Sequence, residues 1–236
     1  MAATKYLRIG VYVPSHVQLL DLSAIDLFGM LDPAYLTACQ LPAPLVALGI
    51  PSTIHYISVP ETGSHIELTA SAFLRVSKTI NDPEVQPGKL DIMLVPGPDP
   101  AMVFSEETLR FLRQHYEWKG NDGRKTDILS VCTGCLLLGQ SGILNGKNAS
   151  GPRAIVPKLQ KMFPDTKWVG DKRWVKDGNI WTSGGFDSFV IITCLFPAGP
   201  LSSLVNEADS THFRWHHEWA RNGSSIHKGK PSWPCI

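Results

Sequence analysis

The chain has 236 residues, 43% of them hydrophobic, and its 22 basic against 21 acidic side chains leave a formal net charge of +1. That balance gives no field able to gather a phosphate backbone or an anionic membrane surface, so neither nucleic acid nor membrane is expected as a partner. The longest apolar runs, such as residues 128–138, contain polar or glycine positions and fall short of the roughly 20 residues a membrane span needs.

Residues 6–13 alternate apolar and polar and then meet Pro14, which suits a strand feeding a loop. With no small-residue cleavage site behind this short apolar segment, a cytoplasmic protein is expected. Residues 21–31 read as a helix with Ser23 as N-cap and Ile25, Leu27, Phe28 and Leu31 inward. Pro33, Pro42, Pro44 and Pro51 then break any long element, and residues 32–52 are expected to be an inserted flap. Residues 53–59 form a second strand, with weaker extended segments at 65–72 and 73–76. Residues 90–95, between Gly88 and Pro96, do not alternate and so read as a strand buried on both faces.

A helix over 105–117 and another buried strand over 126–131 follow, then helices over 133–141 and 153–162. Short strands are expected at 168–169, 173–175 and 179–182, with a hairpin turn at Asp177-Gly178. Strands alternating with helices predict an α/β sandwich, a mostly parallel sheet with helices on both faces. The chain reads as one domain over 1–236, with a divergent C-terminal part over 186–236.

The densest chemical signal is Ser130-Val131-Cys132-Thr133-Gly134, where an apolar strand meets the first turn of a helix. A nucleophile on such a turn projects above the sheet edge, and the helix N-terminus favours its thiolate. The alternative is a small buried cysteine at a strand end. Five cysteines, Cys39, Cys132, Cys135, Cys194 and Cys235, are odd in number and widely spread, which argues against a disulfide framework. Cys132 and Cys135 make a CxxC, but zinc would need a second ligand pair, and the nearest to one is the cluster His212, His216 and His217. Neither metal nor cofactor is expected; one cysteine is read as functional and the other as packed in a helix. The three histidines, with Trp215 and Trp219, fit a solvated amphipathic helix.

Pro96-Gly97-Pro98 ends the neighbouring buried strand, and strand ends of a parallel sheet share a crevice. The Gly97 N–H is thus a candidate oxyanion donor, together with the backbone N–H after Cys132, against the reading of a plain turn. Asp21, after the first strand, is a candidate to move protons if burial raises its pKa; the alternative is a helix cap. Asp26 reads as structural. Thr133 offers a hydroxyl and a backbone donor but no base. No histidine lies between His115 and His212, so none near the nucleophile in sequence supports a Cys-His dyad. Asn148-Ala149-Ser150 is a formal glycosylation sequon, expected to stay unmodified in a chain without a secretion signal.

These residues resemble the DJ-1/PfpI superfamily, and more narrowly its isonitrile hydratase-like and fungal ThiJ/PfpI members. The resemblance runs over about residues 5–184. It is carried by Val17-Gln18-Leu19-Leu20-Asp21-Leu22, Leu94-Val95-Pro96-Gly97-Pro98-Asp99-Pro100, the Cys132 motif and the segments 144–150 and 173–183. It implies a flavodoxin-like sandwich, usually a homodimer, with Cys132 as elbow nucleophile, Asp21 in contact with it and Thr133 following it. The implied reaction is cofactor-independent addition of water to a small electrophilic substrate, as in an isonitrile hydratase. A glyoxalase-like or secondary-metabolite tailoring enzyme acting on a carbonyl, and a non-enzymatic oxidation sensor in which Cys132 goes to sulfinic acid, are the alternatives.

Overall fold

The computed structural model describes residues 6–185. Its centre is a seven-stranded sheet built from β1 (Leu7–Tyr12), β2 (Ser52–Ser58), β5 (Lys78–Thr79), β6 (Ile92–Val95), β7 (Asp127–Val131), β10 (Trp174–Asp177) and β11 (Ile180–Ser183), in the order β10-β11-β7-β6-β1-β2-β5. Two small sheets pair β3 (His65–Glu67) with β4 (Phe73–Arg75) and β8 (Asn148–Ala149) with β9 (Lys167–Trp168). All pairings in the large sheet are parallel except the β10–β11 hairpin, which turns at Gly178 in a left-handed conformation (φ 64°). This is the α/β sandwich that the pattern predicted, with the flavodoxin-like arrangement that the resemblance implied.

Every residue of β6 is buried, as are Ile128 to Val131 of β7, because these strands sit inside a sheet covered on both faces. On one face Tyr12, Met93, Val95, Ile128 and Ile180 pack into the main core. Against them lie Leu109, Phe111 and Leu112 of α4 (Glu106–Glu117) and Leu137 and Leu138 of α5 (Gly134–Gln140). The alternate residues Ile9, Val11, Leu94, Leu129 and Val131 are equally buried on the other face. Ser105 caps α4, its hydroxyl accepting from the Thr108 N–H at 3.3 Å, at the start expected from sequence.

One local expectation is corrected. Ser23 is the first residue of α1 (Ser23–Met30) and not its cap. A 3-10 turn over Leu19–Leu22 runs directly into that helix, and the Ser23 hydroxyl is buried without a partner. As expected, the prolines of residues 32–52 leave no long element, and the segment holds two short helices, α2 (Pro33–Ala38) and α3 (Ala43–Val46). Pro33 and Pro44 fall in first turns, where a missing N–H costs nothing and the fixed φ is already helical. Asp32 completes the first of these starts by accepting from the Ala34 N–H at 2.8 Å. The helix expected over 153–162 resolves into a 3-10 turn at Arg153–Ile155 followed by α6 (Val156–Met162). The expected C-terminal part, with His212, His216, His217, Cys194 and Cys235, lies outside the described residues.

Candidate functional site

The strands β1, β6 and β7 are parallel neighbours, so the segments leaving their carboxyl ends meet. The first carries Asp21, the second Gly97 and the third Cys132. The loop holding Asp21 is latched by a segment that sequence reading had only marked as weakly extended. Val17 bridges both Leu68 and Pro98; its carbonyl accepts from the Thr69 N–H at 3.2 Å, and the Leu19 N–H donates to the Thr69 hydroxyl at 2.9 Å. No periodicity in residues 65–72 announces this role, because single bridges leave no pattern.

Asp21 is 2% exposed, and its Oδ2 accepts from the Gly97 N–H at 3.0 Å. A Cβ added to Gly97 would stand 2.5 Å from that oxygen, 2.6 Å from the Thr133 hydroxyl oxygen and 3.1 Å from the Thr133 nitrogen. The carboxyl, the hydroxyl and the amide therefore converge on one glycine, and a side chain there would have to displace the Asp21 carboxyl and the Thr133 hydroxyl. The Gly97 N–H, expected as an oxyanion donor, here donates to Asp21 and holds its carboxyl in place. The Thr133 hydroxyl gives its proton to the Pro98 carbonyl at 2.7 Å, which ties the two strand ends together.

Cys132 adopts φ 54°, a left-handed conformation rarely taken by a residue with a side chain. Its own N–H donates to the Ser183 carbonyl at 3.1 Å, extending the β7–β11 pairing by one residue. Thr133 (φ −70°, ψ −1°) then opens the turn into α5. Gly134 follows because the helix start crosses the end of β6 so closely that any Cβ would run into the Val95 carbonyl oxygen. Strand, strained cysteine, glycine and helix make the sharp strand-to-helix turn that a nucleophile elbow requires.

The charges at this elbow differ from the sequence expectation in one respect. Burial pushes Asp21 up to about 6, with the Gly97 N–H opposing, so this carboxyl is the stronger base that proton transfer requires. The Cys132 thiol, however, is also pushed up, first by burial and then by the Asp21 charge. The Thr133 N–H favours the thiolate but does not outweigh them. Burial and the Asp21 charge thus both favour the thiol form of Cys132. Cys135 is fully buried with Leu136 and Leu159, and burial raises its thiol far above the ordinary value. Among the described residues no group of three or more His, Cys, Asp or Glu side chains is placed to hold a metal ion.

Fold and site together define an α/β protein with a cysteine elbow beside a buried carboxyl. The chain belongs to the DJ-1/PfpI family, whose model matches residues 45–192, more than half of its length. It is 34% identical over 99 residues to the isonitrile hydratase of Pseudomonas putida, a match covering 41% of this chain and 39% of the hydratase. The chain thus matches about two fifths of that relative's length. Among solved structures, Drosophila melanogaster DJ-1beta aligns over 86% of this chain and 97% of its own (TM-score 0.62, 19% identity). Schizosaccharomyces pombe DJ-1 aligns over 87% of this chain and 100% of its own (TM-score 0.59, 15% identity). An AraC family transcriptional regulator from Pseudomonas putida aligns over 86% and 100% (TM-score 0.62, 14% identity). At these identities the likeness is one of fold. No helix among the described residues is long and apolar enough to cross a membrane.

Proposed function

We propose that this protein is a cofactor-independent hydratase that adds water to the terminal carbon of an isonitrile through a covalent adduct on Cys132. The observation that carries the reading is the convergence of the Asp21 carboxyl, the Thr133 hydroxyl and amide, and the Cys132 elbow around Gly97. The partial identity to an isonitrile hydratase supports the choice of substrate. Asp21 takes the thiol proton as sulfur bonds to the isonitrile carbon, and that proton is delivered to the same carbon, leaving a thioimidate. Water, deprotonated by Asp21, adds to the thioimidate carbon, and Asp21 passes that proton to the nitrogen; the hydroxyl proton of the adduct then moves to sulfur as the C–S bond breaks, which frees the N-formamide and restores the thiol. The sum is isonitrile plus water giving formamide.

Formamide release from an aryl isonitrile, followed by mass spectrometry, tests this. Cys132→Ala is expected to abolish turnover, and Asp21→Asn to lower it by about 10²- to 10⁴-fold, the usual worth of a positioned acid-base group. Absence of turnover in the wild type would overturn the assignment, and formation of a hydroxy acid from methylglyoxal would move it to carbonyl substrates.

A further inference from the structure

We propose that Thr69 is a positioning residue of this site, capping from a distant loop the turn that carries Asp21 and so holding its carboxyl beside Cys132. The inference rests on the pairing of Asp21 with Cys132 in the reaction proposed above. Two independent observations carry it. The first is an exchange of caps. Asp21 is the third residue of the 3-10 turn Leu19–Leu22, whose first N–H groups have no partner within the turn. Gln18, the residue in the capping place, makes no side-chain cap bond. The acceptor comes instead from Thr69, 50 residues from Leu19 in sequence: its hydroxyl oxygen accepts from the Leu19 N–H at 2.9 Å. Its own N–H donates to the Val17 carbonyl at 3.2 Å, so Thr69 grips the chain on both sides of Gln18. Asp21 needs such a hold because at its far end the carboxyl rests on the Gly97 N–H.

The second is strain. Ala70 and Ser71, which follow Thr69, both take left-handed conformations (φ 62° and 55°), and neither is glycine. The Leu68 N–H closes this loop by donating to the Ala72 carbonyl at 2.8 Å. Two such residues in succession are costly, and strain of this kind persists where the surroundings fix it and gathers at functional sites. Leu68 is buried and bridges Val17, and Val17 bridges Pro98 in turn. The Pro98 carbonyl accepts from the Thr133 hydroxyl, so the bridged segments run from Thr69 to the residue after Cys132. Thr69 itself is exposed, so its hydroxyl is not needed to fill the core. Without that hydroxyl the turn is free to shift, Asp21 moves off the sulfur, and its charge raises the Cys132 thiol less.

The test uses the full chain carrying Thr69→Val, which keeps the shape and removes the acceptor, or Thr69→Ser, which keeps the acceptor. Two readouts are taken: hydration of an aryl isonitrile, and alkylation of Cys132 by iodoacetamide, located by mass spectrometry. In Thr69→Val, kcat is expected to fall about tenfold with KM within about twofold of the wild type, and alkylation to speed up by about twofold to threefold. Thr69→Ser is expected to match the wild type within about twofold on each. In Asp21→Asn, where no charge is left to misplace, adding Thr69→Val is expected to leave alkylation unchanged. The same acceleration with and without the Asp21 carboxyl would overturn the proposal and leave Thr69 a structural residue. Thr69→Val alkylated no faster than the wild type, or hydrating as fast as an active wild type, would overturn it as well. A wild type that hydrates no isonitrile would sink the functional reading instead, and the alkylation rates would still decide whether Thr69 acts through Asp21.

Discussion

At the scale of single residues, Asp21 shows what a sequence can and cannot declare. Its place after the first strand, level with Cys132, was legible, because strand ends of a parallel sheet fall on one edge. What its carboxyl does to the sulfur was not, because that depends on burial and on a bond from Gly97, 76 residues away. The helix N-terminus suggested a ready thiolate, yet burial and the neighbouring negative charge hold the proton on sulfur. A specific consequence follows for Asp21→Asn. Removing the charge lowers the Cys132 pKa, so alkylation by iodoacetamide at pH 7.5 is expected to speed up by about threefold to tenfold while hydration collapses. Reactivity and turnover then move in opposite directions. Alkylation that slows or stays unchanged would show that Asp21 does not act on the sulfur through its charge.

At the scale of elements, the buried strands were legible because uninterrupted apolar runs such as Ile-Met-Leu-Val leave few alternatives. The prolines of residues 32–52 rightly excluded a long element but hid two short helices, because the same residue that stops a helix in its interior starts one at its first turn, and the pattern does not say which. Glycines divide the same way. Gly134 is held by a backbone oxygen that cannot yield, so Gly134→Ala must push the start of α5 away from β6. Loss of about 2–4 kcal/mol is expected, the range of severe overpacking, together with most of the activity. Gly29, inside α1, has nothing within 4 Å of an added Cβ. Gly29→Ala is therefore expected to stabilise by about 0.5–1 kcal/mol through helix propensity and a less flexible unfolded chain. Urea denaturation of the two variants checks both signs; a Gly134→Ala protein as stable as the wild type would mean that the elbow does not need this close crossing.

At the scale of the whole molecule, the class of sheet was legible from alternating strands and helices, but not its order. The two-residue edge strand β5 and the placement of β11 beside β7 rest on contacts between distant segments, which local patterning does not encode. The same holds for stability, where two buried groups on different elements act against each other. Asp21 rises from 3.8 to about 6, so it costs the fold nothing below pH 4 and destabilises it progressively as pH rises to about 6. His115 on α4 is buried against Phe111 and the Val85 carbonyl and falls from 6.5 to about 4, so the fold holds it neutral and loses stability as pH drops from about 6.5 to 4. Each shift of roughly two units is worth about 3 kcal/mol. Asp82 and Asp177 are held below the ordinary carboxylate range by the N–H groups of Thr79 and Asn148, while Glu84, lowered by Lys78, and His55, lowered by burial, add to the rise of stability with pH. Over pH 4 to 6.5 the Asp21 and His115 slopes oppose each other, and urea denaturation of the wild type is expected to give a profile flatter than that of either variant below. Asp21→Asn removes one side of the balance, so stability should climb with pH by about 3 kcal/mol. His115→Gln keeps a donor for the Val85 carbonyl but does not titrate, so stability should fall with pH by a similar amount. Parallel, flat profiles for all three proteins would show that neither group carries its shift into the folding equilibrium, and would remove the support that a raised Asp21 gives to its role as base.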